Sequence, residues 1–444
     1  MGKKMWKEIL IHMFSSVLPS FIRKKLKICI FRLRYRYKEK KHIEDSYKEA
    51  LIKLKEKDRI RCVFLSLFAS TWKYDKLYEL MVQNPRFDPI ILVCPIVNKG
   101  RESMLRNLFS AYEELSKKGY NVICSYDSVK DTYVDLKKEI KPDIIIYLNP
   151  YKGLIDSRYY ITEFNDILTC YIPYYINNTV DYENAYDTLL HKSVWRYYVE
   201  SYLHKELSVK YSTNSGINCF VAGYPGIEHL VDKNHIPLNQ WKIKDKKLKR
   251  IIWAPHQTIE AQGVINYSCF LYYYDFMLRM ADKYKEKIQF VFKPHPLLIN
   301  RLYNKWGKVR TDEYYEKWKN LPNGTIVEGA YDDLFMTSDA LIHDCASFIA
   351  EYLYVNKPVM RTSNGVDIHS QFNDFGIRCL EQHYIAYNEE QIESFIQNVI
   401  NDVDPLKSQR TEFVNGVLMP KGSPSQMIID DILDSIDNQI LYRN

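Results

Sequence analysis

Glycine and paired cysteines are scarce in this sequence of 444 residues. It holds only 15 glycines, which argues against a disordered or linker-rich chain. The nine cysteines include no Cys-x-x-Cys pair and no Cys/His spacing typical of a zinc site. Several of them lie in or beside apolar, strand-like segments, where a thiol packs as a small hydrophobic group. The odd number and this placement predict a protein of a reducing cytoplasm, without disulfides or metal clusters.

The common cofactor and metal motifs are also missing. The sequence contains no Gly-x-Gly-x-x-Gly loop, no Walker A loop and no His-Glu-x-x-His helix. It has no Asp-x-Asp pair where a metal-dependent sugar transferase would hold its cation. We therefore predict that the protein uses neither a cofactor nor a metal.

No apolar run reaches the roughly 18 residues that a membrane span needs, and the positive charge is concentrated at the amino terminus. The net charge is +7, but residues 1–41 hold 13 Lys and Arg against two Glu, which leaves the remainder negative. A nucleic-acid-binding protein would spread such charge over its folded surface, so we expect no nucleic acid partner. Basic residues mixed with Trp6, Phe14 and Phe21 favour an interfacial helix on an anionic membrane, on the cytoplasmic face of the bacterial cell membrane. A helix packed on the folded body, with a solvated basic face, is the alternative.

Strand and helix signals alternate in two series along the chain. The first runs from Arg61–Phe68 to Cys219–Val221 and the second from Ile251–Ala254 to Val359–Arg361. The strands are continuous apolar runs, as expected for a sheet covered on both faces. We predict an α/β protein of GT-B fold, with two doubly wound, Rossmann-like domains facing a cleft. The predicted parts are a basic membrane-associating arm at 1–45, an acceptor-side domain at 46–232, a linker at 233–250, a nucleotide-donor domain at 251–415 and a C-terminal helix at 416–444.

Two segments of this pattern carry local predictions. Residues Thr132–Ile140 are expected to form a helix between two strands of the first domain. Residues Asn300–Asn323 are expected to form a polar insertion in the second domain, although they include Trp306 and Trp318.

A histidine between two prolines follows one predicted strand of the second domain. Strand Ile288–Phe292 leads directly into Lys293-Pro294-His295-Pro296. The prolines fix the backbone on both sides of His295, so its imidazole is held rigidly at the carboxyl end of a buried strand. Ligands bind at this edge of doubly wound sheets. We expect His295 and Lys293 to bind a diphosphate or a departing phosphate; a rigid loop with a surface histidine is the structural alternative.

A second group of polar residues follows the strand Ala340–His343. Asp344 leads through Ala346 and Ser347 into a predicted helix, whose first N–H groups favour an anion. Glu351 lies one turn beyond Ser347 on the same helix face, where a carboxylate can accept hydrogen bonds from a ribose. The combination favours a nucleotide site over a simple capped helix.

Three further segments end at the predicted cleft. Trp253-Ala254-Pro255-His256 follows a strand, and His256 is predicted to contact the donor or to act as general base, with a structural role equally open. Gly223 and Pro225 lie in the turn that ends the first domain, where they are candidate donor contacts on the cleft floor. Thr71–Tyr74 follows the first strand and is a candidate acceptor contact.

These residues resemble the CDP-glycerol glycerophosphotransferase family, which includes teichoic-acid and capsule polymerases and primases. The same His-Pro and Ser/Glu arrangement also looks like the donor sites of bacterial sialyl- and Kdo-transferases. The resemblance is carried by Gly223-Tyr224-Pro225, Trp253-Ala254-Pro255, Lys293–Pro296, Ser338–Asp344, Ser347, Glu351 and Lys357-Pro358-Val359. It implies that the donor nucleotide is bound by Lys293, His295, Asp344, Ser347, Glu351, Gly223 and Pro225, and that His295 is catalytic. His256, from its place after a strand, is the second predicted catalytic residue.

Two positions differ from the family pattern. Ala346 stands where many members have the first of two serines. Teichoic-acid members also carry a Trp-His-Gly-Thr-Pro segment, whose histidine is their presumed base. The corresponding stretch here, Cys170–Tyr175, has no histidine. Either the base lies elsewhere, with His256 and Asp75 as candidates, or the acceptor and the chemistry differ.

The resemblance implies a transferase that moves a polyol phosphate, most simply glycerol phosphate, from a CDP-activated donor to a hydroxyl of a cell-surface glycan or lipid-linked acceptor, with release of CMP. A GT-B glycosyltransferase that uses a CMP- or UDP-sugar for capsule or surface polysaccharide synthesis is the first alternative. A non-catalytic nucleotide-binding member of a surface-polymer assembly is the second.

Overall fold

The computed structural model describes residues 40–98, 100–244, 247–260, 266–419 and 422–443. Most of the predicted basic arm, up to residue 39, lies outside these described residues. Within them, the strands form a seven-stranded sheet, a six-stranded sheet and a two-stranded hairpin. No helix in the described ranges is long and apolar enough to cross a bilayer.

The first sheet is built from the first half of the chain. Its strands are β1 (Ile60–Ser66), β2 (Phe87–Val93), β3 (Val122–Cys124), β6 (Ile144–Tyr147), β7 (Leu168–Tyr171), β8 (Arg196–Val199) and β9 (Cys219–Val221), while β4 (Tyr126–Asp127) and β5 (Thr132–Tyr133) form the hairpin. The sheet order is β3-β2-β1-β6-β7-β8-β9, with parallel pairing throughout. The chain reverses its direction of growth between β1 and β6, and a cleft therefore opens at their carboxyl ends.

The second sheet repeats this topology. Its strands are β10 (Lys249–Ala254), β11 (Ile288–Phe292), β12 (Gly324–Ile326), β13 (Ala340–His343), β14 (Val359–Thr362) and β15 (Tyr384–Ala386). Their order is β12-β11-β10-β13-β14-β15, again with parallel pairing. The corresponding switch point lies between β10 and β13, so β10, β11 and β13 end side by side.

Helices cover the sheets. They are α1 (40–55), α2 (Asp75–Gln83), α3 (Arg101–Lys117), α4 (Tyr182–Tyr186), α5 (Leu189–Ser193), α6 (Tyr202–Tyr211), α7 (Glu228–Val231), α8 (Phe270–Lys283), α9 (Leu298–Trp306), α10 (Lys308–Asn320), α11 (Asp332–Thr337), α12 (Phe348–Glu351), α13 (Asp374–Leu380), α14 (Glu389–Ile400), α15 (Lys407–Phe413) and α16 (Pro424–Asp437). Short 3-10 or π turns lie at Ala69–Thr71, Leu136–Ile140, Ser157–Tyr159, Ile161–Glu163, Pro225–Ile227, Tyr352–Val355, Ile368–Ser370 and Val414–Leu418.

Two local predictions were wrong. The helix expected over Thr132–Ile140 is replaced by β5 and a short π turn, because Tyr133 pairs with Tyr126 across the hairpin. The polar insertion expected over Asn300–Asn323 forms α9 and α10. Trp318 on α10 is fully buried and stacks on Phe292 at 5.3 Å, so aromatic burial orders this polar segment.

The last helix returns to the first domain. On α16, Ile428, Ile432 and Ile436 are buried in the core that also contains β1 and β2 residues. Asp431 accepts a hydrogen bond from Arg196 Nε at 2.9 Å, and both side chains are at most 1% exposed. The last strand of the first sheet, β9, ends at Val221, and the first strand of the second sheet, β10, begins at Lys249. The boundaries predicted for the linker and the domains stay predictions.

The two domains also meet directly. The Asn178 side chain donates to the carbonyl of Ala346 at 2.6 Å, and its own carbonyl accepts the Asn373 N–H at 3.0 Å. Gly376 packs so closely that a Cβ there would lie 2.5 Å from the Asn178 carbonyl oxygen. A glycine is therefore required at this interdomain contact.

Candidate functional site

A cleft of about 1260 Å³ lies between the carboxyl edges of the two sheets. Lys73 and Asp75 line it from the first domain, whereas His256, Lys293 and His295 line it from the second. The cleft therefore gathers loops that follow β1, β10 and β11, at the edge where doubly wound sheets bind ligands.

Backbone hydrogen bonds fix the Lys293–Pro296 loop against the end of β10. The Lys293 N–H donates to the carbonyl of Trp253 at 2.8 Å, and the His295 N–H donates to the carbonyl of Pro255 at 3.1 Å. The N–H of Leu297 donates to His295 Nδ1 at 3.2 Å. Because Nδ1 accepts this bond, the neutral His295 ring carries its proton on Nε2 and offers an N–H donor.

His256 has the same arrangement on the neighbouring loop. The N–H of Thr258 donates to His256 Nδ1 at 3.3 Å, so this ring also carries its proton on Nε2. The two imidazole centroids are 5.0 Å apart. Burial lowers the pKa of His256 to about 3, and burial together with Lys293 lowers the pKa of His295. Both rings are therefore neutral N–H donors at neutral pH, and the Nδ1 lone pair of His256 is already engaged.

Lys293 places a partly desolvated cation beside these rings. Its side chain is only 6% exposed, and Nζ donates to the carbonyl of Gly329 at 2.9 Å. Burial lowers the pKa of this ammonium. Two of its three protons remain for an anion in the cleft.

Asp344 holds the loop of His256 and does not line the cleft. Its carboxylate accepts the N–H of His256 at 2.5 Å and the N–H of Cys269 at 2.6 Å. The residue is 2% exposed, and burial raises its pKa to about 6. Each oxygen is bound to a backbone N–H, and a direct donor contact by Asp344 stays a prediction.

Ser347 and Glu351 have different environments in the structure. Ser347 is exposed on the cleft wall. Glu351 is 6% exposed and accepts the hydroxyl proton of Tyr331 at 2.5 Å, and burial raises its pKa. In this structure the Glu351 carboxylate is bound to the Tyr331 hydroxyl, and the ribose contact by Glu351 stays a prediction. The helix α12 ends at Glu351 and continues as a 3-10 turn to Val355.

The turn at the end of the first domain contributes Pro225 to the cleft wall, whereas Gly223 does not line it. Gly223 has a φ of 89°, a conformation that favours glycine, and its N–H donates to the carbonyl of Val199 at 3.3 Å. It shapes the turn, and the donor contact expected of Gly223 stays a prediction.

Sequence reasoning missed the role of Tyr331 and placed Lys73 only on the acceptor side. Lys73 Nζ lies 3.7 Å from Asp332 Oδ2 and 4.6 Å from the centroid of the Tyr331 ring. Lys293 Nζ lies 5.5 Å from the same ring. A lysine from each domain therefore meets one aromatic ring. The sequence holds 37 tyrosines, and none of the patterns around Tyr331 distinguishes it.

The sequence matches the model of the CDP-Glycerol:Poly(glycerophosphate) glycerophosphotransferase family over residues 178–417, more than half of the chain. The chain belongs to this family. It is a glycerophosphotransferase-like enzyme, as the sequence predicted. The match begins at Asn178, the first-domain residue that contacts Ala346 and Asn373.

Solved structures share the fold of this family member. The wall teichoic acid polymerase TagF has 14% sequence identity and a TM-score of 0.52, over 94% of this chain and 98% of that one. S. aureus MnaA in its UDP co-structure has 13% identity and a TM-score of 0.54, over 87% and 99%. The Neisseria meningitidis UDP-GlcNAc 2-epimerase bound to UDP-GlcNAc has 11% identity and a TM-score of 0.53, over 84% and 100%.

At these identities the likeness concerns the fold alone. Together with the two parallel sheets, it confirms the predicted GT-B architecture of two Rossmann-like domains. No curated protein matches the chain.

The end of β7 and the segment after it, where the expected histidine is absent, are aromatic in this glycerophosphotransferase. Tyr171 is buried, the rings of Tyr174 and Tyr175 lie 4.9 Å apart, and the hydroxyls of Tyr175 and Tyr151 are 3.5 Å apart. None of these groups supplies an imidazole.

Asp75 is a first-domain carboxylate in the cleft lining, two residues after Lys73. Its Oδ1 accepts hydrogen bonds from Lys118 Nζ, at 2.7 Å, and from the Tyr120 hydroxyl. The side chain is 44% exposed. A carboxylate held in this way at the start of α2 can accept a proton from a bound hydroxyl.

Proposed function

We propose that this enzyme transfers glycerol phosphate from CDP-glycerol to a hydroxyl of a lipid-linked or cell-surface glycan acceptor, such as a growing teichoic acid, and releases CMP. The acceptor oxygen forms a bond to the β-phosphorus, and the bond from that phosphorus to the oxygen of the CMP phosphate breaks. The family match supports the donor class. The observation that carries the mechanism is the pair of imidazole N–H donors beside Lys293 at the switch point of the second sheet.

The donor half of this proposal rests on charge and hydrogen bonding. His295, His256 and Lys293 would bind the diphosphate and stabilise the charge that moves to CMP, as fixed donors do without reorganisation. Ser347 would add a hydroxyl contact. Lys73 would approach the same phosphates from the first domain, because it meets the Tyr331 ring with Lys293.

The acceptor half places the base in the first domain. The Nδ1 of His256 already accepts the Thr258 N–H, and its Nε2 carries the proton, so this ring is better suited to donate than to accept. We therefore assign the proton of the acceptor hydroxyl to Asp75. Catalysis then consists mainly of positioning and charge stabilisation, as is general for phosphoryl transfer.

The test is release of CMP by the purified enzyme from CDP-glycerol in the presence of a lipid-linked acceptor. His295→Ala should weaken donor binding and lower CMP release, whereas the matched control His369→Ala, on an exposed turn of the second domain, should do neither. Absence of CMP release, with unchanged donor binding by His295→Ala, would refute the proposal. In thermal unfolding, CDP-glycerol should raise the Tm more than CMP-sugars or UDP-sugars do; the opposite order would favour a sugar donor.

The proposal includes attachment to the membrane through residues 1–41. Their 13 Lys and Arg would each contribute about 1 kcal/mol near an anionic surface. The full chain should therefore sediment with vesicles that contain phosphatidylglycerol and be released by high salt. Equal binding to purely zwitterionic vesicles would contradict an electrostatic attachment.

A further inference from the structure

Two histidines and an aspartate converge at the rim of the cleft, outside the group assigned to the donor. His229 lies on α7, His235 follows in the adjoining loop, and Asp333 lies on the first turn of α11. His229 Nε2 is 3.3 Å and His235 Nε2 is 2.6 Å from the same atom, Asp333 Oδ1. The three ligand atoms all lie within 4.8 Å of one another.

These separations are close to those of a tetrahedral metal site. Zinc bonds to nitrogen and carboxylate oxygen of about 2.0–2.2 Å place neighbouring ligand atoms roughly 3.4 Å apart. The distance between His229 Nε2 and Asp333 Oδ1 already has this value, and His235 needs to retreat by less than about 1 Å. The two imidazole centroids are 3.7 Å apart, with a 52° angle between the ring planes, so both nitrogens approach the carboxylate from one side.

The surrounding structure holds the ligands in place. The N–H of Leu238 donates a hydrogen bond to the Asp333 carboxylate. The Trp241 indole N–H donates to Thr337 Oγ1 at 2.9 Å, which attaches the end of the loop to the last turn of α11. The His235 N–H donates to the carbonyl of Asp232 at 3.2 Å. The loop of His235 is therefore bound to α11 before any ion arrives.

We propose that His229, His235 and Asp333 bind one divalent transition-metal ion of the zinc class. Two imidazoles and one carboxylate suit zinc and its neighbours, whereas magnesium and calcium favour oxygen ligands. On binding, each ring coordinates through Nε2 and keeps its proton on Nδ1. His229 is 46% exposed, which gives the ion access from solvent. Three protein ligands leave a fourth position for water or for an oxygen atom from the cleft, which His229 also lines.

This site departs from the prediction that the protein uses no metal. The two histidines belong to the segment between the sheets, and Asp333 lies 98 residues beyond His235. No local spacing in the sequence connects them. The donor site described above needs no contribution from this ion.

The experiment is equilibrium dialysis of the untagged, chelator-treated full chain against Zn²⁺, followed by metal analysis. One zinc ion per chain is expected, together with a rise in Tm, because an ion that binds only the folded state stabilises it. Co²⁺ in the same site should give the visible absorption bands of a tetrahedral ion. His229→Ala and Asp333→Asn should each lower the zinc affinity by at least about tenfold, and the control His369→Ala should leave it unchanged.

The variants separate the site from chance binding. His229 is half exposed, so its replacement should leave the metal-free Tm near that of the parent chain, and a loss of zinc would then reflect the ligand alone. A chain that binds no zinc, or variants that bind zinc as the parent does, would overturn the proposal. Donor and acceptor are absent from this experiment, so its result is independent of the proposed transfer reaction.

Discussion

The carboxyl edges of the two sheets face the same cleft but are built differently. At the edge of the second sheet, backbone N–H groups join the loops after β10, β11 and β13. The N–H groups of Lys293 and His295 donate to the carbonyls of Trp253 and Pro255, and the N–H of His256 donates to the Asp344 carboxylate. At the edge of the first sheet, aromatic side chains provide many of the contacts. Tyr74 donates to the carbonyl of Ile172 at 2.8 Å, and Trp72 packs edge-on against Tyr74 at 5.5 Å.

The difference separates two tasks. Fixed polar groups suit a constant ligand, because they stabilise charge without reorganising. Tyr74 is fully buried and packs against Trp72, which lines the cleft, so aromatic packing fixes the shape of the first-sheet edge. We expect the second-sheet edge to bind the nucleotide in one geometry and the first-sheet edge to bind a polymer or lipid acceptor.

On the acceptor side, we expect Asp75→Asn to cause the largest loss of activity. Loss of the base should lower kcat by about 10²–10⁴-fold and leave the Kd for CDP-glycerol unchanged. Glu79→Gln is the matched control, since Glu79 lies one turn along α2 and lines the same cleft. Steady-state CMP release and calorimetric donor binding test both variants. A large loss in Glu79→Gln alone would move the base to Glu79.

His256→Ala tests the donor side. Removal of one fixed N–H donor to a developing anion should lower kcat by about 10²–10³-fold, and it should also weaken donor binding. His256→Asn, which restores an N–H donor on a shorter side chain, should recover part of the rate. Equal rates for His256→Ala and the parent enzyme would show that the pairing with His295 has no catalytic role.

Substitutions of Asp344 and Asp339 test the two ends of strand β10. Asp344 binds the His256 N–H at the cleft end, whereas Asp339 Oδ2 accepts the Arg250 N–H, at 2.8 Å, at the opposite end. Each change to Asn should lower the free energy of unfolding by about 1–3 kcal/mol. Only Asp344→Asn should also reduce CMP release at a temperature where both variants are folded. Equal activities would mean that Asp344 has no part in positioning His256.

Acid should distinguish the two domains by their buried histidines. The second domain contains the half-buried His256 and the buried His383, whose pKa values burial lowers to about 3, and the buried His343, whose pKa burial lowers strongly. Below the ordinary pKa of about 6.5, these histidines bind protons in the unfolded chain but stay neutral in the folded protein. The free energy of unfolding therefore falls as the pH decreases. Each of these rings should lower the free energy of unfolding by about 1 kcal/mol as the pH falls from 6.5 to 5.5. The raised pKa of Asp344 has the opposite effect on the free energy of unfolding, but Asp344 is a single group.

Calorimetry at pH 7.5 and 5.5 measures this effect as a decrease in Tm. Hydrogen exchange should show earlier opening of the second sheet than of the first, where His191 is the buried ring with a pKa lowered to about 3. An unchanged Tm would contradict the burial of these rings in neutral form.

Much of the fold is predictable because its buried strands are continuous apolar runs. The three segments that supply His256, Lys293 and Asp344 were recognised since each directly follows such a run. The sequence could not show in which direction a side chain points. Glu351 has the spacing of a cleft residue, but its carboxylate is buried and accepts the hydroxyl proton of Tyr331.

Contacts between the domains were equally beyond the sequence. Lys73 meets Asp332 across the cleft, and no periodicity connects residues so far apart. The helices α9 and α10 were missed because their polar surface dominates the composition. The spacing of Tyr314 and Trp318, four residues apart and both buried, was the available helical signal.

The return of α16 to the first domain has a consequence for the order of biosynthesis. Four isoleucines of this helix complete the first core, and Asp431 is the buried partner of Arg196 and of the Tyr198 hydroxyl. The first half of the chain to leave the ribosome therefore cannot close its core until residues 424–437 have followed. The second domain can fold while synthesis continues, and the first domain, although made earlier, is the one completed last.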